Sequence, residues 1–155
     1  MIRNYTPADE AALLDLWNTS GTALGFAPLD LEHFRGLLTR HPDFSMEYTF
    51  VLEVQGKVLG FANGCTGDHI PKGDVRGYVS CVILSSEADT AENTALLLAA
   101  LEDAFRKAGR HYSAVTFFNP IRLPWLLPGT PGHQHNNAPG IALDIPLHER
   151  MLALG

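Results

Sequence analysis

A strand, a long amphipathic helix and a second strand follow one another between residues 76 and 118, and this order constrains the fold more than any other feature. RGYVSCVILSS is apolar and β-branched, which is typical of a strand buried on both faces. A helix is predicted over about residues 90 to 108, and the strand HYSAVTFF follows it directly. A unit of this kind pairs its two strands in parallel. The predicted apolar face of the helix consists of Leu96, Leu97, Ala100, Leu101, Ala104 and Phe105.

The residues before this unit predict two helices and an antiparallel hairpin. Thr6 followed by Pro7 is a helix start, and a second helix is expected from Asp30 to a point before Pro42. YTFVLEVQGKVLGFANG then has two β-rich arms around a Gln-Gly turn. The predicted fold class is therefore α/β, with a mixed central sheet and flanking helices in one domain spanning residues 1–155.

Charge and cysteine content exclude several classes of function. The formal net charge is −6 and basic residues do not cluster, so a nucleic-acid partner is not expected. The two cysteines, Cys65 and Cys81, have neither the spacing of a metal knuckle nor the density of a disulfide framework. No stretch approaches the ~20 apolar residues that would span a membrane, and the N-terminus lacks the apolar core of a signal peptide. We expect a soluble cytoplasmic protein whose partner is a small molecule or a protein.

The order of elements, together with three stretches of sequence, resembles the GNAT acetyltransferase superfamily. IRNYTPAD is similar to the first strand and helix start of that family, and RGYVSCVILSS followed by ALLLAALEDAFRKAG is similar to its central strand and cofactor helix. The resemblance implies a GNAT-like sheet that binds acetyl-CoA and acetylates a small-molecule or peptide amine. It also implies that the backbone of Val82, Ile83 and Leu84 contacts the pantetheine arm.

The phosphate-binding loop implied by the resemblance is degenerate in this chain. The family carries R/Q-x-x-G-x-G/A before the cofactor helix, whereas Ala88 stands at the basic position and Ala91 and Asn93 at the small ones. If the site is retained in weakened form, its residues are Thr90, Asn93 and Thr94. Binding of acetyl-CoA is then expected to be weak or lost.

Electrostatics favours an ordinary capped helix, rather than a phosphate site, at the start of the predicted cofactor helix. A phosphate loop needs free backbone N–H groups, close approach through glycine and no competing anion. This stretch offers Glu87, Asp89 and Glu92 instead, and Asp89 with Glu92 fits a capping box. Two interpretations remain open, a capped helix without a phosphate site and a weakened site.

Residues 119–140 predict a long loop, because prolines and glycines exclude a long helix or a central strand. Asn119 resembles an asparagine often found at this place in GNAT proteins. With Asn119, the loop residues His135 and Asn136 are predicted to line a substrate pocket, and His135 is a candidate general base. His133 and His135 lack the further ligands of a zinc site, so no metal is expected. The apolar residues 124–128 are expected to cover a gap over the core rather than dock a partner.

The catalytic residues are not assigned from the sequence. GNAT enzymes often carry a tyrosine general acid on the last helix, but LHERMLALG contains no tyrosine and Met151 stands nearest to that position. Ser80 and Cys81 lie on the predicted buried strand, where core packing is the default interpretation. Glu53 on the hairpin is a candidate base that alternation places equally well in solvent.

The end of the chain at Gly155 leads to an expectation about assembly. A GNAT domain normally continues into one or two more strands, so the sheet is expected to lack its final strands. The chain would then be the N-terminal unit of a longer or tandem-GNAT protein, or a homodimer that completes the sheet. Two functions remain open: an acyl-CoA-dependent N-acetyltransferase domain, and a non-catalytic GNAT-like module that binds a partner domain or a small ligand.

Overall fold

The computed structural model describes residues 1–115, 119–124 and 145–154. Five strands form one mixed sheet in the order β1 to β5. They are β1 Ile2–Asn4, β2 Thr49–Val54, β3 Lys57–Cys65, β4 Arg76–Leu84 and β5 Tyr112–Ala114. Neighbouring strands run antiparallel from β1 to β4, and β5 runs parallel to β4. The predicted α/β class, the mixed sheet and the parallel strand-helix-strand unit are confirmed.

The described residues include four α-helices beside the sheet: α1 Glu10–Leu16, α2 Leu31–Phe34, α3 Ala91–Lys107 and α4 Pro146–Leu154. π-helical turns extend α1 over Trp17–Gly21 and α2 over Arg35–Thr39, and 3₁₀ turns precede α1 at Pro7–Asp9 and β2 at Met46–Tyr48. The Asp30 carboxylate accepts a hydrogen bond from the His33 amide at 2.8 Å, which caps α2 at the predicted start.

The hairpin between β2 and β3 turns where the sequence predicts. Gln55 and Gly56 both have positive φ, at 51° and 78°. Positive φ at both central residues is the requirement of a type I′ turn, whose twist matches that of the flanking strands. This turn sets the pairing of Val54 with Lys57 and of Glu53 with Val58, and a bulge at Leu59 then shifts the register so that Thr49 pairs with Asn63.

Hydrophobic cores lie on both faces of the sheet. On one face, three aromatic residues of the helical segment pack against a core that includes Phe61 and Ile83: Trp17 in the turn that extends α1, Phe26 in the connection to α2, and Phe34 of α2. On the other face α3 buries Leu97, Leu98, Leu101 and Phe105 against the sheet. The predicted apolar face of α3 is wrong at Leu96, which is 46% exposed, because Leu96 is turned about 140° from Leu101 at 100° per residue.

Candidate functional site

In the part of the chain that the structure describes, β5 pairs with only the first three residues of β4, and the side of β4 beyond them is its open edge. Register partners run only from Arg76 with Tyr112 to Tyr78 with Ala114. Among the described residues, no strand lies beside residues 79–84 on that side of β4. A strand edge without a neighbouring strand offers its backbone N–H and C=O groups to a ligand.

Asn119 forms hydrogen bonds to β4 just beyond Tyr78, the last residue of β4 that pairs with a described residue of β5. Its Nδ2 donates to the Val79 carbonyl at 2.9 Å, and its Oδ1 accepts from the Ile121 amide at 3.1 Å. The Ser80 hydroxyl also donates to Asn119 Oδ1, at 3.3 Å. The structure thus places this predicted pocket residue at the open edge of β4.

A β-bulge in β4 lies at the same point. Asn63 pairs with Cys81 while Gly64 pairs with Val79, so Ser80 is the extra residue. Bulges re-aim side chains and occur often beside active sites. Ser80 is buried and directed to Asn119. From the sequence, Ser80 is predicted only as a core residue, because a bulge depends on the partner strand and leaves no signal in an uninterrupted apolar run.

A cavity of about 170 Å³ extends along the open edge towards the C-terminal end of β4. Val82 and Leu84 form its sheet wall, and Leu147 of α4 contributes the opposite side. The side chain of Ile83 points into the α1 core instead, which leaves its backbone as the part that a ligand would contact. Two larger surface cavities, of about 530 and 720 Å³, lie elsewhere, beside Tyr48 and Tyr5 respectively.

The first turn of α3 forms one end of this groove. Thr90 is the N-cap, and its Oγ1 accepts a hydrogen bond from the Asn93 amide at 3.1 Å. The Asn93 side chain donates to the Ala88 carbonyl at 2.8 Å, and the Thr94 hydroxyl donates to the Thr90 carbonyl at 2.9 Å. The three predicted phosphate-site residues therefore form the cap itself.

The predicted capping box of Asp89 and Glu92 is wrong, because the cap lies one residue later, at Thr90. Asp89 instead forms an ion pair with Arg150 of α4. Within residues 1–115, the amides of Ala91 and Glu92 have no hydrogen-bond acceptor. These two N–H groups are what the helix start offers to an anion.

Two of the three carboxylates near the helix start are paired with cations. Glu87 accepts from Lys57 Nζ at 2.9 Å, and Asp89 is held by Arg150. Glu92 has no cationic partner among the described residues. The repulsion that an anion would meet is thus smaller than the local sequence suggests, because both partners come from distant parts of the chain.

Several predicted site residues lie outside the described residues or are engaged elsewhere. His133, His135, Asn136 and the apolar segment 125–128 fall outside, so their roles stay predictions. Glu53 accepts a hydrogen bond from Arg3 Nε at 2.7 Å. In the described ranges, no group of three His, Cys, Asp or Glu residues has a geometry that suits a metal ion. No helix in those ranges is long and apolar enough to cross a membrane.

Burial makes the two cysteines poor nucleophiles. It raises the pKa of the Cys65 thiol to about 12, with the nearby Asp43 carboxylate adding to the effect, and it raises the pKa of Cys81 to about 12. Because the thiolate is the reactive form, neither residue is suited to nucleophilic catalysis.

We expect both thiols of the native protein to resist alkylation at pH 8. A pKa of about 12 leaves a thiolate fraction on the order of 10³-fold below that of a free cysteine. Mass spectrometry after timed exposure to iodoacetamide should show unmodified native protein and two adducts after unfolding in guanidinium. Rapid labelling of either native thiol would contradict this assignment.

Comparison with known proteins finds relatives by structure alone. No family model and no curated protein sequence matches the chain. A ribosomal-protein-alanine N-acetyltransferase from Brucella melitensis is 26% identical, with a TM-score of 0.54 over 72% of this chain and 70% of that one. The yncA protein of Salmonella typhimurium, solved with its cofactor acetyl-CoA, is 20% identical, with a TM-score of 0.51 over 72% of this chain and 65% of that one.

An aminoglycoside acetyltransferase from an uncultured soil metagenomic sample, solved in complex with sisomicin, has a similar structure. It is 16% identical to the chain, with a TM-score of 0.57 over 75% of this chain and 76% of that one. At this level of identity the likeness concerns the fold.

Proposed function

Because this chain has the GNAT N-acetyltransferase fold, we propose that it transfers an acetyl group from acetyl-CoA to an amine, and that it acts in the cytoplasm. The observation that carries the proposal is the open edge of β4 from Ser80 to Leu84, beside which no described strand lies and along which a cavity extends towards the first turn of α3. A similar structure, the yncA protein, was solved with acetyl-CoA as its cofactor.

The residues along the groove fit an elongated cofactor that is apolar and amide-bearing at one end and anionic at the other. Backbone groups of Val82, Ile83 and Leu84 are placed to bind the amides of a pantetheine arm, as added strands bind to a sheet edge. The side chains of Val82 and Leu84 supply an apolar wall. The free amides of Ala91 and Glu92 would receive a phosphate oxygen. The bound cofactor would supply an activated thioester.

The charges at the helix start support weak rather than tight binding of this cofactor. Lys57 and Arg150 neutralise two carboxylates, but Glu92 in the first turn of α3 has no cationic partner among the described residues, and residues 85–94 contain no glycine that would permit close backbone approach. A carboxylate at a helix N-terminus stabilises the free helix by about 0.3–1 kcal/mol and opposes an anion by a similar amount.

The acceptor amine would reach the thioester at the bulge of β4. There the buried Ser80 hydroxyl and Asn119 offer polar groups beside an otherwise apolar strand. We propose a small-molecule or peptide amine as the acceptor, with His135 and Asn136 lining the pocket and His135 as a candidate general base.

A second candidate function is a non-catalytic GNAT-like module that binds a partner domain or a small ligand. The observation that favours it is the cap of α3, where Thr90, Asn93 and Thr94 satisfy one another and the neighbouring backbone. In this case the chain would be paired with a following C-terminal domain or with a second copy that completes the sheet.

Calorimetric titration with acetyl-CoA tests the proposed function. The native chain should bind saturably, and Glu92→Gln should tighten binding about two- to fivefold, because it removes the unpaired carboxylate at the anion end of the groove. Glu102→Gln, on the same helix and away from the groove, is the matched control and should leave the affinity unchanged.

Acetyl transfer is then measured as the release of free CoA thiol in the presence of candidate amines. Peptides with a free N-terminus and an aminoglycoside represent the acceptors named for the structural relatives. Absence of binding by both the native chain and Glu92→Gln would overturn the enzyme proposal and leave the binding module. Saturable binding without transfer to any amine would limit the chain to cofactor binding.

A further inference from the structure

We infer that α4 is a lid over the groove beside β4, and that the ion pair between Asp89 and Arg150 latches it shut. The inference rests on the proposed function for the identity of the ligand, but the closure itself depends only on residues 82–89 and 145–154. In the closed position the lid restricts access to the open edge of β4. Opening would expose that edge over the length that a CoA-sized ligand needs.

The size of the cavity indicates that α4 stands in a closed position. Small-molecule and cofactor sites usually enclose about 300–1,000 Å³, whereas the space beside Val82 and Leu84 is about 170 Å³. Pro146 and Leu147 from the start of α4 form part of its wall, and Leu147 is only 7% exposed. A ligand with a long flexible arm therefore requires α4 to move away from β4.

Among the described residues, α4 is held by Leu147 at the cavity wall, by Met151 against the core on the α3 face of the sheet, and by the ion pair of Arg150 with Asp89. Arg150 Nη1 pairs with Asp89 Oδ1, and Arg150 Nη2 lies 3.3 Å from the Asp89 carbonyl oxygen. The Arg150 side chain is only 18% exposed although it is charged. Leu152 and Leu154 at the far end of α4 are exposed. Among the described residues the helix is thus held by the apolar contacts of Leu147 and Met151 and by one guanidinium, an arrangement that opens at a modest cost.

The position of the latch couples it to an anionic ligand. Asp89 immediately precedes Thr90, the N-cap of α3, so Arg150 lies at the place where a phosphate group would approach the free amides of Ala91 and Glu92. A phosphate can compete with the Asp89 carboxylate for the guanidinium. Arrival of the ligand would break the latch, and the ligand-free protein would keep its apolar groove covered.

Thiol labelling in the groove tests the lid without any cofactor. Val82→Cys places a thiol on the wall beneath α4, while the two native thiols are expected to stay unreactive. Labelling with iodoacetamide should be about two- to fivefold faster when Asp89→Asn or Arg150→Gln is added, as expected for loss of a partly exposed ion pair that holds a two-state element closed. Arg106→Gln, which removes an ion pair with Asp103 on the outer side of α3, is the matched control and should leave the rate unchanged.

Hydrogen exchange and acetyl-CoA complete the test. Amides of α4 should exchange faster in both latch variants, with circular dichroism confirming that the rest of the fold is intact. Unchanged labelling and unchanged exchange in both variants would overturn the lid. If the variants open the groove but acetyl-CoA neither binds nor shields the introduced thiol, the proposed function fails and the lid stands. If acetyl-CoA shields the thiol while the variants change nothing, the lid fails and the proposed function stands.

Discussion

Phe105→Ala should lower the free energy of unfolding by about 3–5 kcal/mol, the usual cost of truncating a buried aromatic residue. Phe105 is 2% exposed and packs in the core between α3 and the sheet. Its ring occupies space that two glycines leave free: a Cβ atom built on Gly77 would lie 2.2 Å from its Cδ2, and one built on Gly64 would lie 2.7 Å from its Cζ. Alanine at position 105 therefore leaves a cavity that neither strand can fill.

Urea denaturation of the native chain and the variant measures this loss. Leu96→Ala is the matched control, because it truncates a large apolar residue on the same helix that is 46% exposed, and it should cost well under 1 kcal/mol. A loss of less than about 1 kcal/mol in the free energy of unfolding for Phe105→Ala would show that the residues around Gly64 and Gly77 rearrange to fill the space of the missing ring. Since a typical domain is stable by only about 5–15 kcal/mol, the expected loss should also move the urea midpoint clearly.

Helix α3 shows which parts of the fold can be predicted from the sequence. Hydrophobic periodicity locates α3, and β-branched runs locate the strands around it, because both signals are set by residues close together in the chain. The Gln55–Gly56 turn is predicted for the same reason, since its backbone conformation is a local property. The prediction is wrong at Leu96 because a run of adjacent apolar residues makes the predicted apolar face wider than the buried one. Packing buries only the side of the helix that faces the sheet.

The candidate site was predicted less completely because its geometry depends on distant partners. The sequence predicts Asn119 at the end of the HYSAVTFF strand, and the structure shows its side chain bound to Val79 and Ser80 of β4. Ser80 is not predicted as its polar neighbour, since the bulge exists only in the pairing of β4 with β3. The cap of α3 was assigned one residue too early because Asp89 is engaged by Arg150, 61 residues away in sequence. The local sequence shows three carboxylates without a nearby cation, whereas the fold pairs two of them, Glu87 and Asp89, with Lys57 and Arg150.

Acid should remove about 2 kcal/mol of stability through a single carboxyl group, that of Asp9. Arg3 Nη1 donates to Asp9 Oδ2 and Arg3 Nη2 to Oδ1, each at 2.8 Å, and the Thr6 amide and hydroxyl add bonds of 2.8 and 2.9 Å to Oδ2. The hydrogen bonds from Arg3, followed by those from Thr6, outweigh burial and lower the pKa of Asp9 from 3.8 to about 2. Such a lowering on folding corresponds to about 2 kcal/mol.

The sign of the effect follows from the direction of the pKa change. The unfolded chain binds a proton at Asp9 more readily than the folded one, so the stabilisation is present above pH 3.8 and is lost as the pH falls towards 2. Asp9→Asn should therefore be less stable than the native chain by about 2 kcal/mol at pH 7, and the difference should vanish near pH 2. Urea midpoints of the two proteins between pH 2 and pH 7 measure it.

Asp15→Asn is the matched control for this experiment, because Asp15 lies exposed on α1, the helix that directly follows Asp9, and has no ion pair among the described residues. Its stability should follow that of the native chain within about 0.5 kcal/mol at every pH. Arg3 also pairs with Glu53, so the guanidinium keeps one carboxylate when Asp9 is replaced, and β1 stays attached to β2. A difference between the native chain and Asp9→Asn that is the same at pH 2 and pH 7 would mean that Asp9 acts by packing and helix capping rather than by its charge.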